Sequence, residues 1–311
     1  MRAEEALELI AGLPYQEVAD SPTVKYYTDW RVFESNLGVR DAVYSESLPN
    51  PLRRFKPDVE LRGRLDTYIP TVSSGGVRIS PLRKADVKPP VVGRKLDALH
   101  ELRWFGGVEL SVDPGVKLPH PLGVLSVSGK GYVGHHIRVS VGEGAEATLI
   151  VLDYAGVEKG LKTSFIEGDV GRGGKLNLVS LTIHKWGVPS YLRRRFRVQE
   201  GGALTVRSVA GGGIMTREEY DVSLSRESSL EFLGSAVTKY GCRLDLITNV
   251  RHEGPSSSSL VRVRGGVKEF STLVHRGVSS VERGAEGSDT YIESRITVLG
   301  KGGKGYSVPM L

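Results

Sequence analysis

One cysteine is the only residue of this 311-residue chain that could act as a thiolate, either as a nucleophile or as a soft metal ligand. Cys242 lies between Lys239 and Arg243, and nearby cations can lower the pKa of a thiol and make it reactive. The alternative is that Cys242 is a small packing residue beside a strand. A single thiolate excludes a disulfide within the chain and any zinc or iron–sulfur site built on several thiolates. We therefore expect the isolated chain to bind neither a metal ion nor an iron–sulfur cluster.

A short turn signature recurs along the chain and predicts the elements that would position such residues. Its middle residues are Gly115, Gly144, Gly173, Gly201, Ser228, Gly254 and Gly284, at steps of 26 to 30 residues. A near-constant period in this range is typical of a solenoid. Apolar residues at two-residue spacing flank the turns, as Val139 and Val141 do before Gly144, and this spacing indicates strands.

The same pattern decides which solenoid is expected. Helical repeats need long apolar stripes at 3.6-residue spacing, and leucine-rich repeats need a regular leucine ladder; the sequence has neither. We predict an all-β protein whose core is a right-handed parallel β-helix of about seven coils. Each coil is expected to contain a strand, a tight turn, a second strand and further short strands that complete the circuit.

The turn positions also test whether histidines could converge on a metal ion. The histidines are His100, His120, His135, His136, His184, His252 and His275. On a β-helix, ligands converge when they have the same offset from the turn in neighbouring coils. His252 and His275 have different offsets, and adjacent strand residues such as His135 and His136 point to opposite faces. We expect structural roles and keep only His252, with Cys242, as a candidate site residue.

Composition and charge exclude several classes of function. The aspartates share no column, which disfavours the paired acids of a polysaccharide-cleaving enzyme. The sequence has no run of eighteen apolar residues and no secretion leader, so we expect a cytoplasmic protein without membrane contact. The net charge is +6, but the basic residues are scattered, and Arg193 to Arg197 lie within a predicted strand. We therefore expect no nucleic-acid partner.

The chain divides into three predicted regions. Residues 1–105 form an amino-terminal region of short helices and proline-rich loops, 106–300 the β-helix, and 301–311 a short carboxyl-terminal tail. A helix from Lys95 to Trp104 is expected to lead into the solenoid and cap its first coil. No cap is evident after Gly300, so the final strands, Thr290 to Leu299, are expected to pair with another chain.

Several stretches of the carboxyl-terminal half resemble the SufB/SufD family of iron–sulfur cluster assembly proteins. They are Leu244 to His252, followed by Pro255 and the serines, then Phe270 to Gly277, Val281 to Ala285, and Ser288 to Leu299. The resemblance covers roughly Gly106 to Leu311. It implies a right-handed parallel β-helix, in agreement with the fold reached independently from the turn period.

The resemblance implies a non-enzymatic scaffold that works with a SufB-like partner and the ATPase SufC to build a nascent cluster. SufB-like members carry an essential cysteine on the strand after the last turn, and this position falls at or near Ser294. A serine cannot replace a thiolate as sulfur acceptor or soft ligand. Family members continue with a histidine-bearing strand and a helical SufC-docking domain, whereas this sequence ends at Leu311. The chain therefore resembles SufD more than SufB, and docking of a SufC-type ATPase is left open.

Two functions follow from these observations. The first is a SufD-like, non-catalytic scaffold of cytoplasmic iron–sulfur cluster assembly, which pairs with a SufB-like chain or with a second copy of itself. In that case an iron–sulfur cluster is expected only within a complex. The alternative is a β-helical protein-interaction module that no longer serves cluster assembly.

Overall fold

The computed structural model describes residues 3–17, 19–20, 26–84, 93–156, 159–185 and 187–310. The helices are α1 (Ala3–Ile10), α2 (Trp30–Glu34) and α3 (Lys95–Arg103), with a short 3-10 helix at Leu52–Arg54. The strands are β1 (Val59–Leu61), β2 (Val72–Ser74), β3 (Val77–Pro81), β4 (Gly106–Val112), β5 (Leu122–Val127), β6 (Gly131–Val141), β7 (Glu146–Ala155), β8 (Gly160–Val170), β9 (Lys175–His184), β10 (Ser190–Val198), β11 (Ala203–Gly211), β12 (Thr216–Leu224), β13 (Ser229–Thr238), β14 (Arg243–His252), β15 (Ser258–Val267), β16 (Thr272–Val281), β17 (Asp289–Val298) and β18 (Lys304–Met310).

The strands form two sheets. Sheet I has the order β1-β5-β7-β9-β11-β13-β15-β17, and sheet II the order β18-β16-β14-β12-β10-β8-β6-β4-β3-β2. Successive strands from β4 onward alternate between the sheets, and neighbours within each sheet are parallel. Each coil therefore contributes one strand to each sheet, and β4 to β17 make seven coils. The predicted parallel β-helix is confirmed.

The coils are simpler than the sequence suggested. The strands from β6 to β17 are 9 to 11 residues long, so two of them occupy most of each period. The prediction of further short strands in each coil is therefore wrong, because only turns fit into the remaining residues. Alternate side chains of both sheets point into the space between them, which we call the lumen. Its apolar part includes Val139, Leu178, Phe196 and Val222.

Backbone hydrogen bonds between coils show that the predicted turns form a column. The amide of Gly144 donates to the carbonyl of Arg172 in the next coil (2.9 Å), and the amide of Gly173 donates to that of Glu200 (2.9 Å). Gly201 continues the column with φ 64°. Glycine suits this position because L-residues rarely adopt a positive φ. The predicted stacking of these three glycines is confirmed.

Two turns differ from the predicted signature. In the fifth and sixth turns the residues with positive φ are Glu227 (φ 55°) and Ser256 (φ 58°), not Ser228 and Gly254. The amide of Glu227 donates to the carbonyl of Pro255 (3.0 Å), so it occupies the same column as the glycines. The stacking of backbones between coils therefore sets the column. The hydrogen bonds between coils offset the conformational free-energy cost of a non-glycine residue in the left-handed region.

The amino-terminal region lies along the side of the solenoid. Ile10, Phe33 and Leu99 pack with Tyr132 and Phe165 on the outward face of sheet II. The helix predicted from Lys95 is confirmed as α3, but its expected role as an end cap is wrong. The first coil is instead extended by β1, which pairs with β5, and by β3, which pairs with β4.

The carboxyl-terminal end is a strand and not a tail. β18 pairs with β16 in register from Thr272 opposite Lys304 to Val278 opposite Met310. Leu311 lies outside the described residues. The prediction of a short tail over 301–311 is therefore wrong: Gly302, with φ 71°, turns the chain back so that β18 satisfies backbone groups at the free edge of β16.

Candidate functional site

Cys242 is buried immediately before β14. Burial raises the pKa of the thiol above its ordinary value, and the nearby Lys239, which acts in the opposite direction, does not offset this effect. The Cys242 amide donates to the carbonyl of Lys239 (3.1 Å), closing the turn that leads into β14. Because the thiolate is the reactive form, burial favours the interpretation of Cys242 as a packing residue, and its reactivity stays a prediction to be tested.

His252 ends β14 with its imidazole fully buried. Its Nδ1 lies 2.7 Å from Ser257 Oγ, and its Nε2 lies 2.9 Å from Ser259 Oγ. Ser259 Oγ donates to Thr290 Oγ1 (2.9 Å), and Thr290 donates to Ser279 Oγ (2.8 Å). Burial lowers the pKa of His252, so its ring is neutral. The result is a chain of hydroxyl groups that connects β14 with β17.

Ser294 lies in the middle of β17, opposite Val263 of β15. Val263 belongs to the apolar lumen, so the Ser294 side chain also points into the lumen, at the last coil. Its Oγ is buried and has no hydrogen-bond partner among the described residues. The hydroxyl is a hard oxygen donor, whereas soft metal ions and sulfur acceptors require a thiolate.

The three candidates do not form one site. Cys242 precedes β14 and His252 ends it, so a strand of 10 residues separates them, which corresponds to about 33 Å. Through Ser259, His252 reaches Thr290 at the start of β17. Ser294 lies further along the same strand, at a distance of about 13 Å from Thr290. Only His252 and Ser294 therefore share a region of the molecule, the last coils.

Among the described residues, each sheet ends in a strand with one unpaired edge at the carboxyl-terminal side of the solenoid. β17 is the last strand of sheet I, and β18 is the last strand of sheet II. The amide of Asp289 donates to Ser257 (2.9 Å), and that of Leu299 donates to Val267 (2.8 Å). Alternate residues of a parallel strand bond to opposite neighbours. The amides that point away from β15 are those of Thr290, Ile292, Ser294, Ile296 and Val298. Such an edge is a template for pairing with another strand.

A buried network of ion pairs, which no sequence motif indicated, lies in the lumen of the earlier coils. Lys162 Nζ lies 2.7 Å from Asp153 Oδ1 and donates to the carbonyls of Ser126 (2.9 Å) and Tyr154 (3.1 Å). His184 Nε2 lies 3.0 Å from the same Asp153 oxygen. These contacts join β7, β8 and β9 through side chains as well as through backbone pairing.

Arg194 and Glu218 extend this network into the next coils. Arg194 Nη2 lies 3.8 Å from Asp153 Oδ2, and its Nε lies 3.8 Å from Glu218 Oε1. Glu218 also accepts a hydrogen bond from the Tyr220 hydroxyl (2.8 Å). All of these side chains are inaccessible to solvent or nearly so.

Opposite charges keep the Asp153 carboxylate ionised in spite of its burial. Burial by itself would raise the pKa of Asp153, but Lys162, His184 and Arg194 hold it well below its ordinary value. Burial lowers the pKa of Lys162, and Asp153 acts against that effect. Each charged group lies within 4 Å of an oppositely charged member of the network. The network therefore serves to compensate buried charges within the lumen, and its ion pairs link four coils.

Sequence reasoning also missed a cluster of His100, Glu101 and His136. The metal-binding atoms of these three residues lie within 4.8 Å of one another. His100 and Glu101 lie on α3, whereas His136 lies on the outward face of β6. Comparing turn offsets could not find the cluster, because one of its elements lies outside the coils. The available signal was that a predicted helix and a predicted strand each carried a histidine.

Comparison with protein families identifies the solenoid. Residues 125–311, more than half of the chain, match the family described as SUF system FeS cluster assembly, SufBD core domain. The chain belongs to the SufBD core family. The resemblance inferred from the sequence is therefore confirmed, and the SufBD core assigns the protein a role in iron–sulfur cluster assembly by the SUF system, together with other proteins. Comparison with curated proteins gave no significant match.

The SufBD core begins within β5 and contains the sites in the later coils. It includes the buried ion pairs, Cys242, His252 and Ser294, whereas His100 and Glu101 precede it. Among the described residues, no helix is long and apolar enough to cross a membrane.

Proposed function

We propose that this SufBD core protein is a SufD-like, non-catalytic scaffold that pairs with another chain through β17 and β18. The observation that carries this proposal is the position of Ser294. Its hydroxyl points into the lumen beside an edge of outward-facing amides, at the position where the resemblance places the thiol of SufB-like members. A serine at that position supports a scaffold that positions a partner and does not accept sulfur itself.

The chemistry of the other candidates supports a role without catalysis. Burial raises the pKa of the Cys242 thiol, and His252 is neutral and held on both ring nitrogens by serines. Both residues are buried, and the hydrogen bonds of His252 go to serines inside the protein, so neither residue is presented to a substrate. An iron–sulfur cluster needs several soft ligands, so the partner would supply them, and the isolated chain would hold no cluster.

The exposed edges require a partner that can place a β-strand beside β17. An occupant of β17 must offer a strand whose carbonyls accept from the outward amides of Thr290 to Val298. A SufB-like chain or a second copy of this chain meets that requirement, and a second copy would pair about a two-fold axis. A SufC-type ATPase would join the complex through such a partner. We place the complex in the cytoplasm.

Co-expression with a SufB-like protein and a SufC-type ATPase tests this proposal, followed by anaerobic reconstitution with iron and sulfide. We expect a stable complex, and visible absorption of a cluster only when the SufB-like chain is present. A stable chromophore near one cluster per chain in the isolated protein would contradict the scaffold role. Failure to bind either protein would favour the alternative, an interaction module outside cluster assembly.

A further inference from the structure

We propose that His100, Glu101 and His136 bind one divalent first-row transition-metal ion at the junction of α3 and β6. This site is independent of the end strands and lies partly outside the SufBD core. The expectation that the chain binds no metal assumed that the ligands must come from stacked coils. The structure instead brings a helix of the amino-terminal region against the solenoid and places two imidazoles and a carboxylate within 4.8 Å.

The two imidazoles already have the separation of ligands to one ion. His100 Nε2 lies 3.2 Å from His136 Nδ1. Two nitrogens bound to a tetrahedral ion with bonds of about 2.05 Å are roughly 3.3 Å apart. When the ion binds, the proton between the two rings leaves, and the rings turn so that both nitrogen lone pairs point at the ion.

The outer nitrogens of both rings face groups that would favour the required tautomers, although only His100 Nδ1 lies within hydrogen-bond distance of its neighbour. His100 Nδ1 lies 2.8 Å from Thr163 Oγ1, which also contacts the Tyr132 hydroxyl at 2.7 Å. When this Nδ1 donates to Thr163, the Nε2 of His100 keeps its lone pair. His136 Nε2 lies 3.6 Å from Glu167 Oε2, so a proton on this nitrogen leaves Nδ1 free to bind. A carboxylate behind a histidine is the usual support of a metal ligand.

Two polar atoms of the cluster have no hydrogen-bond partner among the described residues. They are His136 Nε2, on a side chain that is 0% exposed, and Glu101 Oε1. A buried polar group of this kind costs free energy unless it is paired. A bound cation would pair Glu101 and offset the charge of Glu167.

The surroundings hold the rings in place and limit the choice of ion. The Phe165 ring stacks on His100 at 3.7 Å, and Trp104 packs against His136 at 5.2 Å. Two imidazoles and one carboxylate suit zinc, iron(II) or cobalt(II), whereas calcium and magnesium prefer oxygen ligands only. Glu101 and Glu167 are partly exposed, so water can reach the ion and complete its coordination.

Titration of the isolated chain with Co²⁺, followed by displacement with Zn²⁺, tests the site. We expect one Co²⁺ per chain with visible d–d absorption, which Zn²⁺ abolishes. Glu101→Gln should weaken binding at least tenfold while keeping the fold, and His136→Asn should abolish the absorption. His120→Ala, which removes an exposed histidine, is the matched control and should bind as the wild type does.

Circular dichroism and thermal melting show whether each variant is folded, so that a loss of metal binding can be distinguished from unfolding. A wild-type stoichiometry well below one ion per chain would overturn the proposal. So would an unchanged affinity in the folded Glu101→Gln variant, or equal losses in Glu101→Gln and His120→Ala. An equal response to Mg²⁺ would also contradict it, because that ion does not prefer imidazole.

Discussion

Lys162 Nζ and Asp153 Oδ1 lie 2.7 Å apart in the lumen of the solenoid, where both side chains are shielded from solvent. Removing two charges from water is costly, and their attraction compensates only when further hydrogen bonds satisfy both groups. Two backbone carbonyls accept from Lys162, and His184 and Ser126 contact Asp153. The polar lumen is thus a single interdependent unit, and it should respond strongly to the loss of one member.

Lys162→Met should lower the free energy of unfolding by about 3 kcal/mol or more, because it leaves the Asp153 carboxylate buried with too little positive charge. Chemical denaturation measures the loss. Lys175→Met is the matched control, since Lys175 pairs with Glu146 at 3.1 Å on the exposed surface. The control should change stability by no more than about 0.5 kcal/mol. Equal losses in the two variants would show that the buried network does not depend on Lys162.

His275 should make the protein less stable in acid. Burial lowers its pKa from the ordinary 6.5 to about 4, with Asp245 acting in the opposite direction. Between these two values the unfolded chain takes up a proton that the folded chain does not. Stability should therefore be complete above pH 6.5 and fall as the pH decreases towards 4, by roughly 3 kcal/mol for this residue.

His275→Asn removes the titrating group and keeps a side chain that can hydrogen-bond with Thr248, which lies 3.2 Å from Nε2. The slope of unfolding free energy against pH between 6.5 and 4 should become shallower than in the wild type. The exposed His120→Ala variant should retain the wild-type slope. The prediction fails if His275→Asn and His120→Ala show the same dependence on pH.

Cys242 should react slowly with a thiol reagent in the folded protein. Its side chain is 6% exposed, and burial raises the pKa of the thiol, so little thiolate is available near neutral pH. Labelling with a chromogenic disulfide should proceed far more slowly in buffer than in denaturant. A folded protein that is labelled as fast as the denatured chain would show that the thiol is accessible and activated.

Ile296→Pro should weaken association of the solenoid end with a SufB-like chain or with a second copy. The Ile296 amide points away from β15. Proline therefore removes a hydrogen-bond donor from the open edge but leaves the hydrogen bonds between β17 and β15 intact. Ile296→Ala is the control, because it loses side-chain packing but keeps the amide. Sedimentation over a wide concentration range measures the effect. A wild-type protein that stays monomeric at high concentration, with no partner bound, would contradict edge pairing.

Local properties of the sequence determined the solenoid. Turns with positive φ and strands with alternating apolar residues are visible in the sequence because each depends on a few neighbouring positions. Gly144, Gly173 and Gly201 therefore predicted the column correctly. Glu227 and Ser256 did not fit the glycine signature, because in those turns the stacking of coils imposes the backbone conformation on other residues.

The tertiary structure alone decided which side chains meet. His100 approaches His136 because α3 packs on the outward face of β6, and no periodicity within the coils contains that contact. Lys162 meets Asp153 across the lumen, since the two sheets bring their inward faces together. β18 was mistaken for a tail because its glycines resemble a flexible exit, and only pairing with β16 makes it a strand. Sequence fixes local backbone preferences, whereas contacts between separate elements depend on how those elements pack.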